Sequence, residues 1–577
     1  MADGAQRGHI VVFGFRGVAR RIVHQLTSAG QDVVVVESDP TPAELATMSR
    51  YGASYVESYR QTQQTLDDAA IDEARAVVCA FNDDVRNIEV ALLVRKRAPG
   101  TRVVVQMANP AVGRALQGVA TPGAVLQVAE LAAPSFVETT ISRTTHEVDF
   151  GGREFVVSTL TSEVEGTFRT LWGDLAPIAI APIDGSPARA CPRRDDAVHI
   201  GDHVTLMGAP ADFAAAGLNP HIVTGVRIGP SWRVRVREAV SAIFDLIDRP
   251  LRIVVAMLAA LALISFGLLL LAYREPDGTR MSPLDAIYFT AETIATVGFG
   301  DFYFRDQVDW LRIWAIVIIL LGATLIAVAT ALLTNALVSR SLAQSIGRQR
   351  VTGMRDHLVL VGLGSVGSRV AEDLHDAGYE VAVIDGGEGQ RFVPAMRAMG
   401  IPVLIGDATL PETLEGAGVD RAAGVAIVTG DDLVNIEVGL AVRDTLEGRD
   451  IPIVLRIFGR TLARELGDYV DAGTPRSIAE LSAPWFVGAA LGLEVLGTFY
   501  VGDHPFMAAQ VTITPGGPLD GATVDQLGDR MRVVAIERVG APGALEYPPR
   551  RTTRLHGGDR AYLVGHHEVL FDVLQRA

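Results

Sequence analysis

Lysine is almost missing from this chain. Lys96 is the only one among 51 basic residues, and the rest are arginine, the bias of a GC-rich bacterial genome. Basic residues are themselves outnumbered by 67 acidic ones, giving a net charge of −16. That excludes the broad basic face on which nucleic-acid binding depends, so no nucleic-acid partner is expected. Cysteine is nearly as scarce. Cys79 and Cys191 are the only two, which supports neither a disulfide framework nor a thiolate zinc site and fits reduced, cytosolic domains. The opening MADGAQRGHIVVFGF also lacks the charged-then-apolar order of a secretory signal and runs straight into a strand-like segment.

What is present is a repeat. IVVFGFRG at 10–17 and LVLVGLGS at 358–365 are each an apolar strand entering a glycine turn. VVVVE at 33–37 and VAVID at 381–385 are each a second strand ending on an acid, and Gly14 lies as far from Glu37 as Gly362 does from Asp385. DDVRNIEV at 83–90 matches DDLVNIEV at 431–438, and AELAAPSFV at 129–137 matches AELSAPWFV at 479–487. Such a register predicts two copies of one α/β domain. Each alternates β-branched runs with helical stretches, the pattern of a parallel sheet covered on both faces. A smaller β-rich tail follows each copy, at 146–225 with IGDHVTLMGA and at 491–577 with GGDRAYLVGH.

Between the copies the composition changes. Ile253–Ala272 and Ile313–Leu333 are unbroken by any charge. At about 1.5 Å per residue each is long enough for a hydrocarbon core of about 30 Å, so two membrane spans are expected. Arg233, Arg235, Arg237, Arg249 and Arg252 precede the first, and Arg340, Arg348, Arg350 and Arg355 follow the second. The connecting segment mixes arginines with Glu275, Asp277, Asp301, Asp306 and Asp309. The basic excess on both flanks places both termini in the cytoplasm, in a multi-pass protein of the bacterial inner membrane.

The connecting segment reads SPLDAIYFTAETIATVGFGDFYF. Residues 283–295 have helical spacing but are too short to cross a membrane, which predicts a re-entrant pore helix. Thr296-Val297-Gly298-Phe299-Gly300-Asp301 then resembles the potassium-channel signature, with phenylalanine in the usual place of tyrosine. A potassium ion must exchange its water shell for a cage of oxygens. The carbonyls of Thr296, Val297, Gly298 and Phe299, with the Thr296 hydroxyl, supply stacked oxygen rings for K+. Inward-pointing carbonyls need backbone that glycine adopts most cheaply, hence Gly298 and Gly300. One chain supplies a quarter of a ring, so the resemblance implies a homotetramer embedded in lipid. It also implies that Glu292 sits behind the filter and shares a proton with Asp301. Gly322, in the second span, is either the gating hinge such channels use or a site of close helix packing.

The flanking repeats resemble the regulator-of-potassium-conductance (RCK, Trk-type NAD-binding) domain. In the second copy Gly362, Gly364 and Gly367 form a GxGxxG after a strand and before a helix that opens Ser365-Val366, with Asp385 closing the next strand. The first glycine makes the turn, the second admits a pyrophosphate and the third packs helix on strand, while Asp385 accepts from ribose hydroxyls and disfavours a 2′-phosphate. NAD(H) or ADP/ATP is the expected regulatory ligand. The resemblance places Gly406, Asp407, Ala408 and Thr409 near the adenine. Thr429, Gly430 and Asp431 end the fourth strand, Asp431 as a contact or a helix N-cap. Arg456 closes the fifth and reaches either a phosphate or an acid of a neighbouring domain. The first copy is degraded. Gly14 and Glu37 remain, but Arg16 and Ala19 replace the second and third glycines, and Ser58-Tyr59 replaces Gly406-Asp407. Arg16 either obstructs a dinucleotide or itself grips a phosphate.

The expected fold is therefore mixed: two Rossmann-like α/β domains, each with a small α+β subdomain, flanking an all-α two-helix pore with a re-entrant loop. The boundaries are 1–145 and 146–225, a cytoplasmic linker at 226–250, the pore at 251–340, a linker at 341–352, then 353–490 and 491–577. The expected function is a potassium-selective channel subunit, gated by nucleotide through a ring of eight RCK domains. The rival readings are a nonselective cation channel, a membrane-anchored nucleotide-sensing regulator and a dehydrogenase-like enzyme. No acid, base or nucleophile set accompanies the glycine turn, and fold alone does not imply an enzyme. Calcium regulation finds no recognisable acidic loop.

Overall fold

Runs of valine and isoleucine form the frame, because β-branched side chains pack well on a pleated surface buried on both faces. In the computed structural model the described residues are 8–218, 249–346 and 351–574, apart from 60–61, 117–122, 142–144, 185, 276–277, 352, 388–390, 459–471, 503, 529–530 and 542. The first copy is a six-stranded parallel sheet of β1 (Ile10–Phe13), β2 (Val33–Glu37), β3 (Ser54–Glu57), β4 (Ala76–Cys79), β5 (Arg102–Gln106) and β6 (Gly123–Leu126), in the order 3-2-1-4-5-6. β1 is central, pairing Ile10 with Val33 on one side and with Ala76 on the other. The second copy repeats this order around Leu358–Val361. Repetition extends to single side chains. His9 Nε2 donates to Ala69 O at 3.0 Å, and His357 Nε2 to Ala417 O at 2.9 Å. Each tail is a five-stranded antiparallel sheet, as expected from its alternating pattern.

The copies exchange helices, which the repeat alone did not reveal. Helix Val128–Thr140 leaves the first sheet and packs on the second copy, burying Ala132, Ala133 and Phe136 against Leu363, Val366 and Val370. Helix Ile478–Leu491 does the reverse, burying Ala483, Phe486 and Val487 against Val18, Ile22 and Val23 of helix Val18–Ser28. Both helices are apolar on more than one face, because each must satisfy two neighbours. The small subdomains also share a core, in which Phe150 stacks on Tyr562 at 5.1 Å.

Residues 227–349 form a separate unit. Its described part has two helices apolar and long enough to span a membrane, within Arg249–Ala272 and Asp309–Ile346, with the short helix Pro283–Ile294 between them. Most of the linker expected at 226–250, with Arg233, Arg235 and Arg237, lies outside the described residues, as do Arg348 and Arg350 of the second linker.

Helix exchange makes a prediction about fragments. Residues 1–225 and 353–577, expressed separately, should each expose one apolar helix face and self-associate or precipitate. Expressed together, they should co-purify one to one on a single affinity tag. Phe486→Ala should destabilise that pair by about 3–5 kcal/mol in urea unfolding, since it empties a fully buried site. Two stable monomers that ignore each other would overturn the exchange.

Candidate functional sites

Ser282 starts the short helix of the membrane unit, its hydroxyl accepting from Asp285 N at 3.2 Å. The helix ends at Ile294, and Val297 N reaches back to Glu292 O at 2.9 Å. The chain then leaves regular structure. Thr296, Gly298 and Gly300 have φ of 57°, 58° and 89°, with Val297 and Phe299 between them outside the left-handed region. A regular strand turns successive carbonyls to opposite sides. Alternating left- and right-handed residues turns them to the same side instead, which is what a stack of oxygen rings requires. Glycine takes the left-handed positions freely. Thr296 does so at a strain of about 1–3 kcal/mol.

The surroundings of the filter-like segment are aromatic. Tyr273, Phe289, Phe302 and Phe304 form one cluster, with Phe289 and Phe304 stacked at 4.8 Å. Asp301 accepts from the Tyr288 hydroxyl at 3.0 Å. Glu292 is buried, and its Oε2 has no hydrogen-bond partner within the chain. The Tyr288 side chain stands within reach of both the Glu292 and the Asp301 carboxylate. Tyr288, absent from the sequence reading, holds Asp301. The long helix runs unbroken through Gly322, where a Cβ would lie 3.3 Å from Ile294 Cα and O. Close packing at the foot of the short helix therefore accounts for this glycine without a bend.

In the second α/β copy the turn residues meet at the carboxyl ends of the strands. Gly362 has φ 97°, and a Cβ there would lie 3.0 Å from Thr429 N. A Cβ on Gly367 would fall 2.0 Å from Gly362 O, so helix and loop touch at that point. A Cβ on Gly364 would meet nothing within 4 Å. The second glycine faces open space at the N-terminus of helix Ser365–Asp376, where backbone N–H groups and the helix dipole favour a phosphate. Asp385 is buried, accepting from Leu363 N and Gly387 N at 2.8 Å each. It therefore anchors the glycine loop itself.

The remaining expected residues divide. Asp431 is the N-cap of helix Asp432–Thr445, accepting from Leu433 N at 2.8 Å. Asp407 closes its own turn by accepting from Thr409 N at 2.9 Å, and the Ala408 side chain packs into the core. Arg456 lies over the Phe458 ring at 4.4 Å, and burial pushes its pKa down to about 10. A group not anticipated, Asn435, ties these together. Fully buried, it accepts from Thr429 N at 3.0 Å and donates to Arg456 O at 2.9 Å. Asn87 does the same work in the first copy, bonding Phe81 N and Gln106 O. The shared asparagine of DDVRNIEV and DDLVNIEV was the available signal.

In the first copy Glu37 likewise accepts from Phe15 N and Ser38 N at 2.8 Å each. Arg16, however, pairs with Glu44 at 3.1 Å, and that hydrogen bond raises its pKa above the ordinary value. Glu44 is itself fixed in a capping box with Thr41. Tyr59 is exposed and donates to Glu57 at 2.8 Å.

Comparison with known proteins accords with this division. The TrkA-N domain family matches residues 10–124 and 358–470, and the ion channel family matches 254–339. The chain is 25% identical over 179 residues to the voltage-gated potassium channel Kch of Escherichia coli (strain K12), covering 30% of this chain and 42% of that protein. It is 22% identical over 214 residues to potassium channel protein 1 of Methanocaldococcus jannaschii, covering 36% and 60%. It spans less than two thirds of the length of these relatives. Among solved structures, the GsuK channel bound to NAD shares the fold, with a TM-score of 0.50 and 18% identity over 99% of this chain and 80% of that one.

Two glycines of the second copy's loop make opposite predictions for substitution. Gly364→Arg, which installs the side chain of the first copy, should leave the thermal midpoint nearly unchanged because the position is open. It should weaken NAD or ADP binding by at least about tenfold, about 1.4 kcal/mol. Gly367→Ala should instead lower the thermal midpoint, because its methyl meets a backbone carbonyl. Calorimetry and thermal denaturation on the intact chain check both. Unchanged nucleotide binding in Gly364→Arg would place the ligand elsewhere.

Proposed function

From a chain that carries two TrkA-N domains around one ion-channel domain, we propose a potassium-selective channel subunit gated by NAD(H), ADP or ATP at its second α/β copy. The observation that carries this reading is the alternating backbone of Thr296, Gly298 and Gly300, held between two membrane-length helices. Val297 and Phe299 are 52% and 69% exposed in one chain, which fits a pore wall completed by other copies. Four chains would close such a ring, and their eight α/β copies would form a cytoplasmic gating ring. The arginine-rich flanks orient the spans in the bacterial plasma membrane. Relatives named as potassium channels and a solved channel bound to NAD support the same reading. The glycine loops act here as sensors, and no chemistry is assigned to them.

The gating step has an energetic bound. A ligand shifts a closed–open equilibrium only by its differential affinity for the two states. Converting a 1:99 population to 99:1 needs about 5.5 kcal/mol, or about 1.4 kcal/mol from each of four sites. The force would pass to the two long helices through 226–250 and 341–352.

Reconstituted protein should show a reversal potential that follows the potassium gradient and ignores sodium. Gly298→Ala should abolish flux while leaving the assembly intact, because a methyl opposes the left-handed backbone. Equal sodium and potassium permeability would favour the nonselective reading. In the same bilayers, open probability should vary with NAD or ADP concentration. Gly364→Arg should flatten that dependence and leave selectivity intact. A full nucleotide response in this variant would remove the second copy as the sensor.

A further inference from the structure

The second copy begins where the chain returns from the second span. Val351, the first described residue after helix Asp309–Ile346, is fully buried and joins the apolar core that holds Ala417, Val419 and Ala422. Met354 N donates to Val351 O at 3.0 Å, which closes a turn ahead of the first strand, Leu358–Val361. Arg421 holds that turn from the side. Its Nε donates to Met354 O at 2.8 Å and its Nη2 to Val351 O at 3.1 Å, while Nη1 meets Asp420 at 3.0 Å. The side chain is only 24% exposed. A guanidinium suits the place because its planar fork donates to two carbonyls and an acid at once.

The first copy is built alike at this place but without the arginine. Gly8 N donates to Glu73 O at 2.9 Å and Asp356 N to Arg421 O at 3.0 Å, so Glu73 and Arg421 hold matching positions. An ionised glutamate only accepts hydrogen bonds and cannot fasten a carbonyl. A second difference accompanies the first. Gly418, at φ 69°, precedes the short helix Val419–Arg421, and a Cβ there would lie 2.6 Å from Arg421 Nη2. The matching residue of the first copy is Ala70, at φ 47°. The left-handed turn itself therefore accepts an alanine, and the glycine makes room for the guanidinium folded over it. Arginine and glycine change together, in the copy whose first strand follows a membrane-length helix.

We propose that Arg421 is the positioning residue that sets where the tether from the second span ends, clamping Val351–Met354 to the second copy so that movement of this copy reaches the long helix without slack. This rests on the channel reading above and adds to it the residue through which the second copy pulls. With the clamp open, residues 351–355 would join the tether and lengthen it by up to about 17 Å when extended. A smaller ligand-driven movement would then be absorbed before it reached the span. Strand Leu358–Val361 has the clamp before it and the Gly362–Gly367 loop after it, so sensing and coupling lie at opposite ends of one strand. Substitution can separate them.

The test uses the intact chain, in detergent for hydrogen exchange and in bilayers for single-channel recording. Arg421→Glu, which installs the first copy's residue, should speed amide exchange at 351–355 by at least about tenfold and leave exchange in Leu358–Val361 unchanged. Arg421→Lys, which keeps one donor group, should fall between. In bilayers Arg421→Glu should change open probability and leave the reversal potential unaltered. A Gly-Gly-Gly insertion after Arg350 in the unsubstituted chain should change open probability in the same direction without speeding exchange at 351–355. Unchanged exchange in Arg421→Glu would overturn the clamp. Faster exchange with unaltered open probability would overturn its part in gating, as would opposite shifts from Arg421→Glu and the insertion. An unsubstituted channel indifferent to NAD and ADP would remove the nucleotide reading alone, since exchange and basal open probability still decide the clamp.

Discussion

Neither α/β copy buries its own helical face. Phe136 is covered by the second copy and Phe486 by the first, and each is fully buried. This exchange constrains everything around it. Two domains that trade helices must fold on the same side of any barrier between them in sequence. Any membrane the chain crosses between them must be crossed an even number of times, which accords with two membrane-length helices in that stretch. Placing one copy before that stretch and one after it therefore does not separate the copies in the fold. A relative motion of the two copies is then resisted by a shared core.

Much of this was legible in the residues. Strand identity followed from valine and isoleucine runs, the repeat from matching glycine and acid positions, and the spans from the absence of charge over Ile253–Ala272 and Ile313–Leu333. The helix exchange was not legible. AELAAPSFV and AELSAPWFV are apolar on several faces, and an apolar helix reads alike whichever sheet it covers. Tertiary context alone decides the partner. Asn435 was overlooked for a related reason. A buried asparagine is costly unless its hydrogen bonds are met, and these go to Thr429 and, 21 residues along the chain, to Arg456, partners that the repeat shared with Asn87 does not by itself reveal. Asp431 went the other way. Its expected part as a helix cap required only a local contact, and that contact is present.

The acid that ends the second strand shows how a family motif can mislead about cause. Asp385 and Glu37 both hold the amide that follows the first glycine, at 2.8 Å. Each residue is required by the loop before any ligand arrives. Its presence in the first copy is thus no evidence for a working site there, and its loss from the second would disturb the loop itself. Gly364 is the discriminating position, because only there does open space face the helix terminus.

The first copy departs from the second in more than its exposed arginine. Gly367 touches Gly362 O so closely that a methyl has no room, yet the first copy carries a fully buried Ala19 at the matching place. Its loop must therefore stand off from its helix. The helix start records this. In the second copy Gly364 is the N-cap and the helix opens at Ser365, whereas in the first Gly17, which matches Ser365, is the N-cap at φ 60° and the helix opens one residue later, at Val18. At that φ the Gly17 amide departs from the helical course that Ser365 follows in the second copy. Arg16, paired with Glu44, stands where the second copy has open space at Gly364. Restoring Gly at position 16 alone would clear that space and leave Ala19 and the Gly17 N-cap as they are.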